Sequence, residues 1–302
     1  EKEVDRQIRE MVSQHVFGAY VHNRTGLQTP YLSDEYFRIV KKGIESARTH
    51  GFMFGLVDEY EWPGGEARDP WSPGLGSRVI ARNPDFRMRG LVPTARDLTG
   101  PTQVDFSTLP NFQFATLSPL DAAGQLDGQS MKLLDGPRAA IPAGRWRATA
   151  FTLEPVVGRD GGLVDLMSHD AIATWLDLVH EKYYQLSPQD FGTTIDSFFT
   201  DHEGAYGARI AWTPLLFDTF RKMKGYDLRP QLAALAFDAG PVTPRIRCDY
   251  LDVVSELYTR SYMKQVADWC ARQSAKKRAW RSAGMSSARF PGGTAPLFAA
   301  QR

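Results

Sequence analysis

The stretch FMFGLVDEYEWPGG, residues 52–65, decides the reading of this chain. Its opening FMFGLV is a continuous apolar run of strand length, the pattern of a strand buried on both faces. Two acids, Asp58 and Glu59, follow without a break. Ahead of it, LSDEYFRIVKKGIESARTHG (32–51) reads as a helix. Ser33 supplies the N-cap, Asp34 and Glu35 put negative charge in the first turn, and Gly51 ends it. Phe37, Val40, Ile44 and Ala47 recur at helical spacing and give one apolar face. Earlier still, FGAYV (17–21) reads as a short buried strand.

The same order returns downstream. Ser168 caps HDAIATWLDLVHEKYYQL, whose Ile172, Trp175, Leu176, Val179 and Tyr183 form a stripe. The strand-like TTIDSFFTD follows and runs into Asp201, His202 and Glu203. Thr213-Pro214 opens a further helix that stops at Gly225, and a long helix covers DYLDVVSELYTRSYMKQVADWCAR (249–272). Between the two halves the chain is rich in Pro and Gly. PTQVDFSTLPNFQFATLSP and GRWRATAFTLEP read there as antiparallel strands, the second of them expected to return the chain to the main sheet. Strand, helix, strand with acids just after strands is the layout of an α/β barrel or an open parallel sheet. In a barrel both acid clusters would lie at the mouth, among the loops after the strands.

Composition narrows the function classes. The 302 residues are 42% hydrophobic and 12% aromatic with a net charge of +1, which suits a folded protein and argues against a nucleic-acid binder. Cys248 and Cys270 are too few for a disulfide scaffold or a cysteine-rich zinc site. No run has the length of a membrane-spanning helix. The charged start EKEVDRQIREM lacks the apolar core of a signal peptide, so the expected location is cytoplasmic, or periplasmic or secreted if a leader has been removed. The sequence leaves the oligomeric state open.

Two constellations carry chemistry. The first is Asp58, Glu59 and Glu61 with Tyr60 and Trp62: an acid at a strand end can donate or accept a proton, and an indole suits the apolar face of a sugar. The bland alternative is a solvated loop whose acids pair with Arg68. The second is Asp201, His202 and Glu203 with Tyr206. Glycoside hydrolysis needs one protonated and one ionised carboxyl, and two acid clusters after two strands supply both. The alternative there is a helix N-terminus dressed with acids. A third grouping, His22 with Asp201 and His202, has the ligand types for zinc but neither H-x-H nor H-E-x-x-H spacing. A hard cation such as calcium suits the carboxylates better. No G-x-S-x-G, no P-loop and no dinucleotide fingerprint is present.

Several of these stretches resemble the family 106 glycoside hydrolases, the group containing α-L-rhamnosidases. TGLQTPYLSDEYF followed by GLVDEYEWPGGEA is similar to the family's opening, where the strand end reads L-Y-D-E-x-x-W-P-S-G. IPAGRWRATAF, VDLMSHDAIATWLDLVHEKYY, TIDSFFTDHEG and RCDYLDVVSELYTRSYMKQVADWCAR resemble later segments in the same order. The resemblance covers most of residues 15–272. It implies a (β/α) barrel acting on a glycosidic bond, with Glu59, Asp201 and Glu203 in the acid and base roles. Asp58, Tyr60, Glu61, Trp62, His22, His202 and Tyr206 would then contact a carbohydrate substrate, and calcium is the cofactor the resemblance admits. His202 stands where relatives carry Glu, with Glu203 one place later.

The expected fold is therefore α/β of the (β/α)-barrel type, incomplete, with a β-rich insertion after the second strand. A closed barrel needs about eight strands and roughly 250 residues. The expected segments are first β/α units over 1–63, the insertion over 64–145, further units over 146–272 and a basic tail over 273–302, disordered or non-native. On that reading the chain is an N-terminal part of the catalytic domain, inactive if truncation removes later acids. The alternative function is a non-catalytic fragment that binds saccharide or a partner.

Overall fold

The computed structural model describes residues 2–24, 26–60, 75–156, 162–200 and 210–273. In chain order its elements are α1 (Lys2–Ser13), β1 (Gly18–Asn23), α2 (Asp34–Thr49), β2 (Met53–Tyr60), α3 (Leu75–Arg82) and β3 (Arg89–Asp105). Then come β4 (Phe112–Pro119), β5 (Lys132–Leu133), β6 (Arg138–Pro155), α4 (His169–Leu178), α5 (His180–Leu186) and β7 (Phe198–Phe199). The last are β8 (Ala211–Trp212), α6 (Leu216–Lys224), α7 (Ala233–Ala236), α8 (Thr243–Tyr258) and α9 (Lys264–Gln273). They form two compact units, one of residues 1–87, 157–206 and 260–302, the other of 88–156 and 207–259.

The first unit holds a three-stranded parallel sheet in the order β1-β2-β7. Local chemistry sets its helices. The Ser33 side chain accepts a hydrogen bond from Tyr36 N and starts α2. At the other end Gly51 adopts φ +66°, a left-handed turn that L-residues with a Cβ enter at a cost, and Phe52 N bonds back to Ala47 O at 2.8 Å. The chain thus leaves α2 straight into β2. The buried stripe of α2 is Tyr36, Val40, Ile44 and Ala47, with Phe37 half-buried at its margin. Ser168 caps α4 in the same way, through Ala171 N. The helix expected over 169–186 breaks at Val179 (φ −122°, ψ −69°) into α4 and α5, and the expected stripe residues are buried on both sides of the break.

In the second unit β3 and β6 pair antiparallel from Arg89↔Pro155 to Asp105↔Arg138, and the sheet order is β5-β4-β6-β3-β8. Val104, Phe106, Ala115, Leu117, Ile141, Ala148 and Ala150 make its core. The strands approach closely at Gly100, where a Cβ would stand 1.9 Å from the carbonyl oxygen of Pro142. The Tyr250 hydroxyl of α8 donates to Ala211 O at 2.9 Å and ties that helix to β8.

The barrel expectation is not met. A barrel is a sheet closed on itself, whereas among the described residues the parallel sheet has three strands with β1 and β7 at its edges, and the larger sheet is antiparallel. The fold among the described residues is mixed α/β with two separate sheets. GRWRATAFTLEP does not rejoin the parallel sheet; it is the last two-thirds of β6, between β4 and β3. Period-two alternation predicts a strand but not its neighbours, and here the neighbours decide the architecture.

Candidate functional site

The candidate site is at the C-terminal end of the parallel sheet, where ligands of parallel α/β proteins characteristically bind. β2 carries Asp58 and Glu59 there, both fully buried, so neither belongs to a solvated loop. Neighbouring residues of a strand face opposite ways. Phe54 faces α2, since a Cβ on Gly43 would meet its ring at 2.8 Å. Leu56 and Asp58 share that face, and Asp58 meets α5: His180 Nε2 lies 3.3 Å from Asp58 Oδ2. Gly55 and Val57 take the other face. There the Tyr20 ring lies across Gly55, and its hydroxyl shares a 2.8 Å hydrogen bond with Ser197 Oγ.

Asp58 and His180 occupy an apolar box. The Phe198 ring is 4.4 Å and the Trp269 ring 5.2 Å from the imidazole, centre to centre. Burial pushes Asp58 up to about 7, against a weaker pull from the Thr200 hydroxyl, and pushes His180 down to about 3. Low dielectric disfavours the charged form of each group, so one proton between carboxyl and imidazole leaves both neutral. Thr200 in turn shares a short hydrogen bond with the Tyr262 hydroxyl.

On the β1 side, the register with β2 shifts between Val21 and Asn23, so that Asn23 stands opposite Tyr60. Asn23 Nδ2 donates to the Glu59 carbonyl oxygen at 3.2 Å, and Asn23 Oδ1 accepts from the Tyr36 hydroxyl at 2.9 Å. The Tyr36 and Tyr183 hydroxyls are 2.6 Å apart. Burial pushes Tyr36 up to about 12 and Tyr183 well above the ordinary tyrosine value. Tyr60 stacks on Tyr31 at 5.6 Å, and Arg78 Nη2 holds the Tyr31 carbonyl at 2.8 Å.

Of the residues singled out from sequence, Asp58, Glu59 and Tyr60 thus lie in the protein interior, and His22 is half-buried on β1. A cavity of about 380 Å³ opens between α1, β1 and α2; its wall includes His22 and Asn23 but not Asp58, Glu59 or Tyr60, so it does not mark the carboxylates. Glu61, Trp62, Asp201, His202, Glu203 and Tyr206 lie outside the described residues. Among the described residues no group of three His, Cys, Asp or Glu could hold a metal ion, and no helix is long and apolar enough to cross a membrane. The sequence did not mark His180, Thr200, Asn23 and Tyr36, and it marked Tyr183 only as part of an apolar stripe. His180 had a legible signal, an imidazole four residues after Leu176 on an apolar stripe.

No protein-family model matches the chain, and no curated protein does. Solved structures do: the fold is similar to that of a glycosidase. The structure is that of a rhamnosidase from Novosphingobium sp. PP1Y, matched with a TM-score of 0.60 at 14% identity, over 91% of this chain and 44% of that one. At that identity the likeness establishes a shared fold, and the chain spans less than half the length of that structure.

Proposed function

We propose that this chain belongs to a carbohydrate-active hydrolase of rhamnosidase-like type, which cleaves a glycosidic bond with two carboxyl groups. The observation that carries the reading is Glu59, a fully buried carboxyl at the C-terminal end of a parallel strand in a fold shared with a rhamnosidase. A second source of carboxyls is near in sequence. β7 is hydrogen-bonded to β2 through Leu56↔Phe198 and Val57↔Phe199, and Asp201 and Glu203 follow it directly. Adjacent strands run about 4.8 Å apart, and β2 and β7 are neighbours in the sheet.

In this reading one carboxyl, kept protonated by burial, donates its proton to the leaving oxygen, while the other, ionised, acts as base or nucleophile on the opposite side of the ring. Glu59 takes one role and Asp201 or Glu203 the other, with Trp62 and Tyr206 against the sugar. Asp58 takes neither role, because it turns toward α5.

The test is turnover of a panel of aryl glycosides that includes an aryl α-L-rhamnoside, with Glu59→Gln and Glu203→Gln as variants. Each variant should lose at least about 1,000-fold in kcat/KM, a loss of a reacting group rather than of binding alone, while its unfolding midpoint stays near that of the wild type. Full activity in Glu59→Gln would remove this assignment. Sugar-induced thermal stabilisation with no turnover of any glycoside would instead establish a saccharide-binding fragment.

A further inference from the structure

We propose that Asn23 is a positioning residue for Glu59, and that Tyr36 and Tyr183 fix Asn23 in the one orientation that lets it act. The inference rests on the reading of Glu59 as a reacting group. Four elements meet in one chain of hydrogen bonds, from Tyr183 on α5 through Tyr36 on α2 and Asn23 on β1 to the Glu59 carbonyl on β2. Asn23, Tyr36, Tyr183 and Glu59 are each at most 5% exposed, so water does not compete for these bonds.

Counting protons fixes every direction. The Glu59 carbonyl can only accept, so it must face the amide nitrogen of Asn23. The amide oxygen then points to Tyr36, which must spend its single proton on it. With that proton committed, the 2.6 Å contact between the tyrosines requires Tyr183 to donate to Tyr36. Nothing in the chain can be reversed without stranding a buried donor or setting two acceptors face to face.

The backbone explains why a side chain is needed at this point. The β1–β2 register breaks between Val21 and Asn23, and such irregularities re-aim side chains where pairing ends. Asn23 replaces a main-chain donor there and holds the peptide that follows Glu59. That peptide sets where the Glu59 side chain leaves the strand, and catalysis is sensitive to displacements well under 1 Å.

The discriminating substitution is Asn23→Asp, equal in volume, which once ionised puts an acceptor against the Glu59 carbonyl. Tyr36→Phe removes the donor behind Asn23 and serves as the milder second variant. In the full chain, Asn23→Asp should lower kcat on the aryl glycoside about 10- to 100-fold while KM changes less than about threefold, and shift the kcat–pH profile. Tyr36→Phe should do the same to a smaller extent. The second measurement is independent of turnover: carbon-13 NMR of side-chain-carboxyl-labelled glutamate, with the Glu59 resonance identified by its absence in Glu59→Gln. Asn23→Asp should move that resonance and displace its titration midpoint by about half a pH unit or more, other glutamates staying in place. An unmoved Glu59 signal, or an unchanged kcat in an active protein, overturns the positioning role. A moved signal in a wild-type protein without glycoside turnover keeps the positioning role and removes the hydrolase reading instead.

Discussion

The buried pair of Asp58 and His180 makes a prediction in which two opposed effects cancel. Folding raises Asp58 from 3.8 to about 7 and lowers His180 from 6.5 to about 3, in each case because burial penalises charge. Near pH 5 the folded pair binds one proton, carried between a neutral carboxyl and a neutral imidazole. The unfolded pair also binds one, on His180, with Asp58 ionised. Stability depends on pH through the difference in bound protons, so the intact pair contributes no slope there. Each single substitution uncovers one half. In Asp58→Asn the remaining His180 binds a proton only when unfolded, so stability is lost as pH falls from about 6.5 toward about 3, at about 1.4 kcal/mol per pH unit. In His180→Gln the remaining Asp58 binds a proton only when folded. Stability then falls as pH rises from about 3.8 to about 7, with the same slope of about 1.4 kcal/mol per unit and opposite sign. Urea unfolding at pH 4.5, 5.5 and 6.5, each variant referred to the wild type at the same pH, therefore gives two diverging lines. Over those two units the gap between the variants changes by about 5 kcal/mol, and the double variant runs parallel to the wild type. Two single variants that both track the wild type would refute the pair's shared neutral state.

The remaining expectations concern the frame around the site. Gly100→Ala drives a Cβ into the Pro142 carbonyl, a backbone atom that cannot swing aside, and should cost about 2–4 kcal/mol, read as a lower denaturation midpoint. Ser33→Ala removes the hydrogen bond to Tyr36 N at the start of α2; a loss of about 1 kcal/mol is expected, and Ser33→Asp should restore most of it. Ile44→Ala empties a fully buried position between α2 and the sheet and should cost about 2–5 kcal/mol, measured in the same unfolding assay.

What could be read from the chain alone was whatever is settled within a few residues. The Ser33 and Ser168 caps, the stops at Gly51 and Gly225, and the stripes from Val40 to Ala47 and from Ile172 to Tyr183 depend on neighbours one or two helical turns away, and those neighbours are written beside them. The apolar run ahead of Asp58 likewise announced a buried strand ending in acids. Partnership between strands has no such local record. Residues 146–155 alternate as well for one sheet as for another, and only their pairing with β3 and β4 took them out of the parallel sheet and left three strands where a barrel was expected. The same holds at the site. It took α5, packed by distant apolar contacts, to claim Asp58 for His180, and a register shift between β1 and β2 to bring Asn23 to Glu59. Hydrogen bonds and periodicity act over short chain separations, whereas burial acts between surfaces wherever the chain brings them together, so function here waited on the tertiary fold.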